Sequence, residues 1–241
     1  MLDWLRRDPR EQPVVMIGER ALPVAIRRLA HARRLTLRLS PDGGEVRVSM
    51  PRWGRTEEAL AFARARADWL ARQLDAVPET AALGHGAVIR FRGAEARIAH
   101  DPALPRKVRL DGEALLIGGP AETLCARLRR WLEGEARALM TADLAHYCAA
   151  IGRDPPRLAL SNARRRWGSC APDGSIRVNW RLVMAPEDVR RSVVAHEVAH
   201  LVHFDHSPRF HALLGELFEG DVAAANRWLR REGRALYAPF G

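Results

Sequence analysis

Residues Val193 to Leu201 read VVAHEVAHL, an apolar helical run into which three ionisable side chains, His196, Glu197 and His200, are set. Burying such groups without partners is costly, so any fold that takes in this run must give them something to bind. On a helix, residues four apart lie on nearly the same face, about 6 Å apart along the axis. His196 and His200 can therefore aim ring nitrogens at one ion and form half of a tetrahedral zinc site. Glu197 is rotated by roughly 100° from His196, clear of the ligands but beside a water on the ion, where a general base belongs.

A catalytic zinc needs a third protein ligand and one open position, because four protein ligands would close the site. His206 follows His200 by six residues and directly precedes the helix-start signal Ser207-Pro208, so a turn after the metal helix can fold it back. The spacing matches that of metzincins, but His203 stands where their turn has glycine. His203, His211, Glu216 and Glu219 remain alternatives for the third ligand. His206 is preferred, because a loop residue reaches a metal without the helix packing the glutamates require.

The rest of the chain reads as a globular protein, with 47% hydrophobic and 28% charged residues among 241. The first residues, MLDWLRRDPREQ, lack the apolar core of a secretory leader, and no stretch is long enough to span a bilayer, so a cytoplasmic location and no membrane partner are expected. Cys125, Cys148 and Cys170 form no CxxC pair and read as reduced, structural thiols. The net charge of +10 attracts phosphates, but Lys107 is the only lysine and the arginines are dispersed. Nucleic acid therefore ranks behind a protein or peptide as the expected partner.

The expected architecture is α+β: a flexible tail over 1–13, a β-rich N-terminal region with one helix over 14–119, and a metal-binding region over 120–241. Leu35, Leu37 and Leu39 alternate with polar residues, as do Val46, Val48 and Met50 beyond the turn Pro41 to Gly44, which predicts a hairpin. Thr56 suits the cap of a helix whose face carries Phe62, Ala65, Trp69 and Leu70. A break over Val77 to Gly86 follows. Ile89 and Phe91 pair with Ala96 and Ile98 across Gly93, and Val108 and Leu110 with Leu115 and Ile117 across Asp111-Gly112. From Glu122 the pattern turns helical, with Leu124, Leu128, Trp131 and Leu132 on one stripe and the composition changing near Pro120. Ile176, Val178, Trp180 and Leu182 alternate as a strand. Pro186, Glu187 and Asp188 fit the first turn of the helix that carries HEVAH.

The segment RRRWGSC, Arg164 to Cys170, has two readings. Arg166, Trp167 and Ser169 can form a substrate wall, with Asn179 and the strand Ser175 to Val183 offering backbone to an extended peptide. Alternatively it is a tight turn feeding a hairpin, with Gly168 serving a backbone conformation closed to other residues.

Taken together, HEVAH, the following HFDHSPRFHALL at His203 to Leu214, and RRRWGSCAPDGSIRVNWRLVMAP at Arg164 to Pro186 resemble the YgjP-like family of zinc metallopeptidases. Asp205 stands where that family usually has asparagine, and His211 where tryptophan is common. The resemblance extends from about Arg33 to Leu229. It implies a zincin-like region with the HExxH helix packed on a small sheet, and one zinc per chain at His196, His200 and His206. It further implies Glu197 as catalytic acid and base, and kinship to the SprT and WLM metalloproteases.

Peptide-bond hydrolysis is the leading expectation. A second keeps the metal and changes the substrate to a phosphoanhydride held by Arg164, Arg165, Arg166, Arg177 or Arg181. A third is a DNA-associated protein with a structural zinc or with proteolysis confined to DNA-bound targets. Tyr147 and Tyr237 are candidates for stabilising an oxyanion.

Overall fold

The computed structural model describes residues 13–40, 43–75, 83–164 and 166–240. The expected tail up to residue 12, Pro41 and Asp42 of the expected turn, residues 77–82 of the expected break, and Arg165 lie outside these. The chain divides into two compact units, Met1–Glu79 and Thr80–Gly241. That division falls well before the composition change near Pro120. The physical reason lies in the core: Ile89, Phe91, Ile98, Leu115 and Ile117 share one apolar cluster with Leu124, Leu128 and Leu132, so the sheet before Pro120 is built on the helix beyond it.

The first unit holds strands β1 (Val14–Ile17), β2 (Arg20–Leu29), β3 (Thr36–Leu39) and β4 (Val46–Pro51) and helices α1 (Thr56–Arg64) and α2 (Ala67–Asp75). The sheet order is β1-β2-β4-β3. The expected hairpin is present, Leu37 facing Val48 and Leu39 facing Val46. The single expected helix is two. Its chain turns at Ala65 and Arg66, whose amides bond to the carbonyls of Ala61 and Ala63, and this shifts the apolar phase. Leu60 and Ala63 are buried in α1, Leu70 and Leu74 in α2, while Trp69 stays 38% exposed. Thr56 does not cap α1. Arg55 holds that position and its amide donates to the Glu58 carboxylate at 3.2 Å, while Thr56 accepts from Arg28.

In the second unit, β5 (Val88–Phe91), β6 (Ala94–His100), β7 (Arg109–Asp111) and β8 (Ala114–Ile117) form a sheet of order β5-β6-β8-β7. Both expected turns appear, the second shifted by one residue: Ile89 faces Ala96 across Arg92-Gly93, both at positive φ, and Asp111 pairs with Ala114 as the end of β7, leaving Gly112-Glu113 as the turn. Such two-residue turns match the twist of the strands they join. Helix α3 (Leu124–Ala150) runs unbroken through Gly134 and buries a stripe from Leu124 through Leu128, Leu132, Ala136 and Met140 to Leu144. Strands β9 (Leu158–Ser161), β10 (Gly168–Cys170) and β11 (Ile176–Asn179) make a second sheet of order β10-β11-β9.

The strand expected through Leu182 ends at Asn179. The Asn179 side chain accepts the amide of Arg181 and starts a 3₁₀ turn over Trp180–Met184, every residue of which is buried. Helices α4 (Glu187–Ala199), α5 (Pro208–Leu217) and α6 (Val222–Glu232) complete the unit. Pro186 caps α4 from outside, leaving Glu187 and Asp188 in its first turn. Among the described residues no helix is long and apolar enough to cross a membrane.

Candidate metal centre

Helix α4 is buried on nearly every side, from Val189 and Val193 to Val198 and Ala199, as an interior helix must be. It is fastened to α3 by a buried ion pair, Arg190 Nε donating to Asp143 at 2.7 Å and Nη2 to the other oxygen at 3.3 Å. Its last turn presents His196 and His200, whose Nε2 atoms lie 3.2 Å apart. The chain then turns through amide bonds from Leu201, Val202 and His203 to the carbonyls of Val198 and Ala199. None of the turn residues adopts positive φ, so the glycine that the metzincin turn requires is not needed here. The turn returns His206 with its Nε2 3.2 Å from that of His196. The three imidazoles are the one group of three or more metal-donor residues that converges among the described residues.

Their surroundings prepare them as donors. The His200 Nδ1 lies 3.0 Å from the carbonyl oxygen of His203. A carbonyl only accepts, so Nδ1 carries the hydrogen and Nε2 keeps its lone pair toward the cluster. Burial, reinforced by His200, His206 and His211, lowers His196 from 6.5 to about 4, so its ring is neutral at ordinary pH. Phe210, fully buried on α5, contacts all three rings with centroids 4.6–4.9 Å away. Zinc–nitrogen bonds of about 2.05 Å in a tetrahedron place nitrogens about 3.3 Å apart. The observed 3.2 Å separations fit that donor set.

Glu197 projects from the same helix into the RWGSC segment and is 5% exposed. A Cβ added to Gly168 would stand 2.7 Å from the Glu197 Cγ and Cδ, and closer still to a carboxylate oxygen. Gly168 has no positive φ. Its role is thus to let the carboxyl lie against β10, rather than to allow an unusual backbone. Burial raises Glu197 from 4.5 to about 7, against the opposing Arg166 charge and the Cys170 amide, which donates to it.

The other expected residues separate. Arg166 is exposed and acts on Glu197 by charge. Ser169 lies on β10 opposite Arg177. Trp167 packs on Tyr237 with ring centroids 5.6 Å apart and fills the space left by Gly233. Asn179 is fully buried, its amide donating to the Ala163 carbonyl and the Tyr237 hydroxyl and its oxygen accepting from Arg181. The expected strand, now β11, is paired on both sides, and the edges of its sheet are β10, which lies beside Glu197, and β9.

Glu219, a candidate ligand, accepts from Tyr147 at 2.9 Å and pairs with Arg191 instead. Burial pushes Tyr147 up to about 12, and the Tyr237 hydroxyl donates to the Ala163 carbonyl; both hydroxyls serve the fold. Arg181, buried between the Trp180 and Tyr237 rings, and Arg177, exposed on β11, do not converge with Arg166 on a phosphate site. Sequence reading missed Phe210 and the Gly168–Glu197 contact. Phe210 had a local signal, four residues beyond His206 on the following helix.

A family model described as YgjP-like, metallopeptidase domain, matches residues 33–232. No curated protein and no solved structure matches the chain.

Proposed function

The chain belongs to the YgjP-like metallopeptidase family, and on that premise we propose that it is a zinc peptidase, with the metal held by His196, His200 and His206 and Glu197 as general base. The observation that carries the reading is the convergence of three imidazole Nε2 donors one helical position away from a buried carboxyl raised to about 7. A zinc ion bound there supplies Lewis-acid polarisation of the scissile carbonyl and acidifies a water.

The chain's own residues do the rest. The His203 carbonyl fixes the tautomer of His200, and Phe210 shields the donors from solvent on one side. Glu197 takes a proton from the attacking water on a carboxylate oxygen and returns it to the amide nitrogen as the C–N bond breaks, giving a free acid and a free amine. A group titrating near neutrality suits both transfers. The Cys170 amide and Gly168 hold that carboxyl in place.

Strand β10 supports a peptide as the substrate. Trp167 and Ala171 bond toward β11 through the Trp167 carbonyl and the Ala171 amide. By the alternation of a strand, Gly168 turns its backbone groups, and Cys170 its carbonyl, to the free edge, where the Cys170 amide holds Glu197. An extended peptide added to that edge runs past the proton carrier.

The test is hydrolysis of a labelled unfolded protein by zinc-loaded wild type and Glu197→Gln, with zinc content measured on both. Zinc-dependent cleavage lost in the variant at unchanged zinc supports the reading. Absence of cleavage by wild type across a set of unfolded proteins and peptide libraries contradicts it.

A further inference from the structure

Far along α3 from the histidines is a second polar feature that the peptidase reading does not use. Asp143, which meets α4, lies 16 residues beyond Arg127 on one helix, about 24 Å along the axis. At that distal end is a cleft of about 660 Å³ into which Arg106, Lys107, Arg127, Arg130 and Trp131 project, with no carboxylate in its lining. Lys107 is the chain's only lysine.

The cleft is assembled by backbone fit. Gly118 and Gly119 donate their amides to the carbonyls of Pro105 and Pro102, strapping the 102–107 loop onto the start of α3. The His100 ring contacts the Gly119 carbonyl at 2.7 Å. A Cβ on Gly119 would meet the Arg106 stem at 3.1 Å and the Arg127 guanidinium at 3.2 Å, so the glycine brings two cations together. Arg127 is fixed by donating to Thr123 and, at 2.9 Å, to the Pro120 carbonyl.

Neighbouring arginines are treated differently. Arg129, on the same helix, pairs with Glu133, and Arg109, on the next strand, pairs with Asp111. Among the described residues none of the four cleft cations is in an ion pair. Holding like charges together is unfavourable, and a bound polyanion relieves it. Trp131 is half-buried, packed on Phe91 at 4.9 Å, and its remaining surface lines the cleft.

We infer that this cleft is a binding site for single-stranded nucleic acid, with phosphates on Arg106, Lys107, Arg127 and Arg130 and a base against Trp131. Guanidinium forks match phosphate oxygens, and an aromatic wall beside them gives a base a stacking partner that an acidic peptide lacks. A duplex keeps its bases stacked inside and cannot reach a recessed ring. The inference is independent of the peptidase reading.

Fluorescence anisotropy of a labelled thymidine oligomer of about 12 nucleotides, titrated with the full chain at about 50 mM salt and above, tests it. If all four cations engage, log K falls against log salt with a slope of about −2.8, and Lys107→Ala with Arg130→Ala reduces it by about 1.4. Both residues are exposed, so the fold, checked by circular dichroism, should not change. Trp131→Leu is expected to weaken binding by about fivefold or more without changing the slope. A control pair, Arg52→Ala with Arg64→Ala, removes the same charge from exposed positions in the first unit and should have little effect. No binding at low salt, an equal loss in the control pair, preference for poly-glutamate of matched charge, or binding of ATP but not the oligomer would each overturn the inference.

Discussion

The metal centre and the basic cleft both belong to the second unit, yet they hold polar groups in opposite ways. At the candidate metal centre three imidazoles converge around Phe210, and a carboxyl lies against Gly168 with its charge suppressed by burial. In the cleft four cations are held near one another without a carboxylate. The first arrangement prepares short-range bonding and proton transfer, where sub-ångström placement matters. The second prepares long-range attraction, where number and sign of charge matter and individual geometry matters less. Substitutions should therefore act sharply in one place and in proportion to charge in the other.

The largest expected effect is that of Glu197→Gln, which keeps size and removes the proton carrier. Hydrolysis of a labelled unfolded protein should fall by about 10²–10⁴-fold with zinc content unchanged. Wild-type turnover in the variant removes Glu197 from its assigned role.

Gly168→Ala comes next. The added Cβ meets the Glu197 side chain at 2.7 Å, and overpacking of this kind should lower turnover by about tenfold while zinc stays bound. Gly134→Ala is the paired control, since a Cβ there meets nothing. It should leave turnover unchanged and stabilise α3 by about 0.5–1 kcal/mol, read by thermal unfolding. Equal turnover in the two variants would remove the fit between Gly168 and Glu197 from the account.

A smaller effect is set by protonation in the metal-free protein. Glu197 titrates at about 7 instead of 4.5, so between those values the native state holds a proton that the unfolded chain has released. Its contribution is full below about pH 4.5 and is lost as pH rises through about 7. His196, lowered from 6.5 to about 4, acts in the other direction, and stability falls as pH drops through that window because the unfolded chain takes the proton first. Metal-free Glu197→Gln should consequently gain a few degrees of Tm on metal-free wild type as pH rises from 4.5 to 7. A difference that does not change with pH would show that burial does not shift this carboxyl.

The smallest effect is the one that separates the sites. Lys107→Ala with Arg130→Ala should leave hydrolysis of an uncharged peptide unchanged, since both act at the far end of α3. A loss matching that of Gly168→Ala would mean that the two regions are not distinct.

How much was legible in the sequence depends on the range of the forces involved. HEVAH was legible because the i, i+4 geometry of a helix is local, and His206 because a short loop limits where it can go. The turn at Arg92-Gly93 and, to within one residue, the turn at Gly112-Glu113 were legible from turn chemistry alone. Strand β2 was overlooked although Leu22, Val24 and Ile26 alternate within it, since Pro23 weakens the strand signal. The end of β11 depends on an Asn179 side chain turned back on its own backbone. The contact of Gly168 with Glu197 joins residues far apart in sequence, and glycine gives no sign of what it makes room for. The basic cleft was hidden for the same reason. Composition gave the excess charge, but only the strapping of the 102–107 loop onto Gly118 and Gly119 shows where four cations gather.

The central claim is that three imidazoles from α4 and the following turn hold one catalytic metal. Zinc per chain, measured by mass spectrometry after passage through a weak chelator, tests it on wild type, Glu197→Gln and His206→Ala with folding verified for each. The account predicts one tightly held zinc in wild type and in Glu197→Gln, and its loss in His206→Ala. Full retention of tight zinc by folded His206→Ala would contradict it.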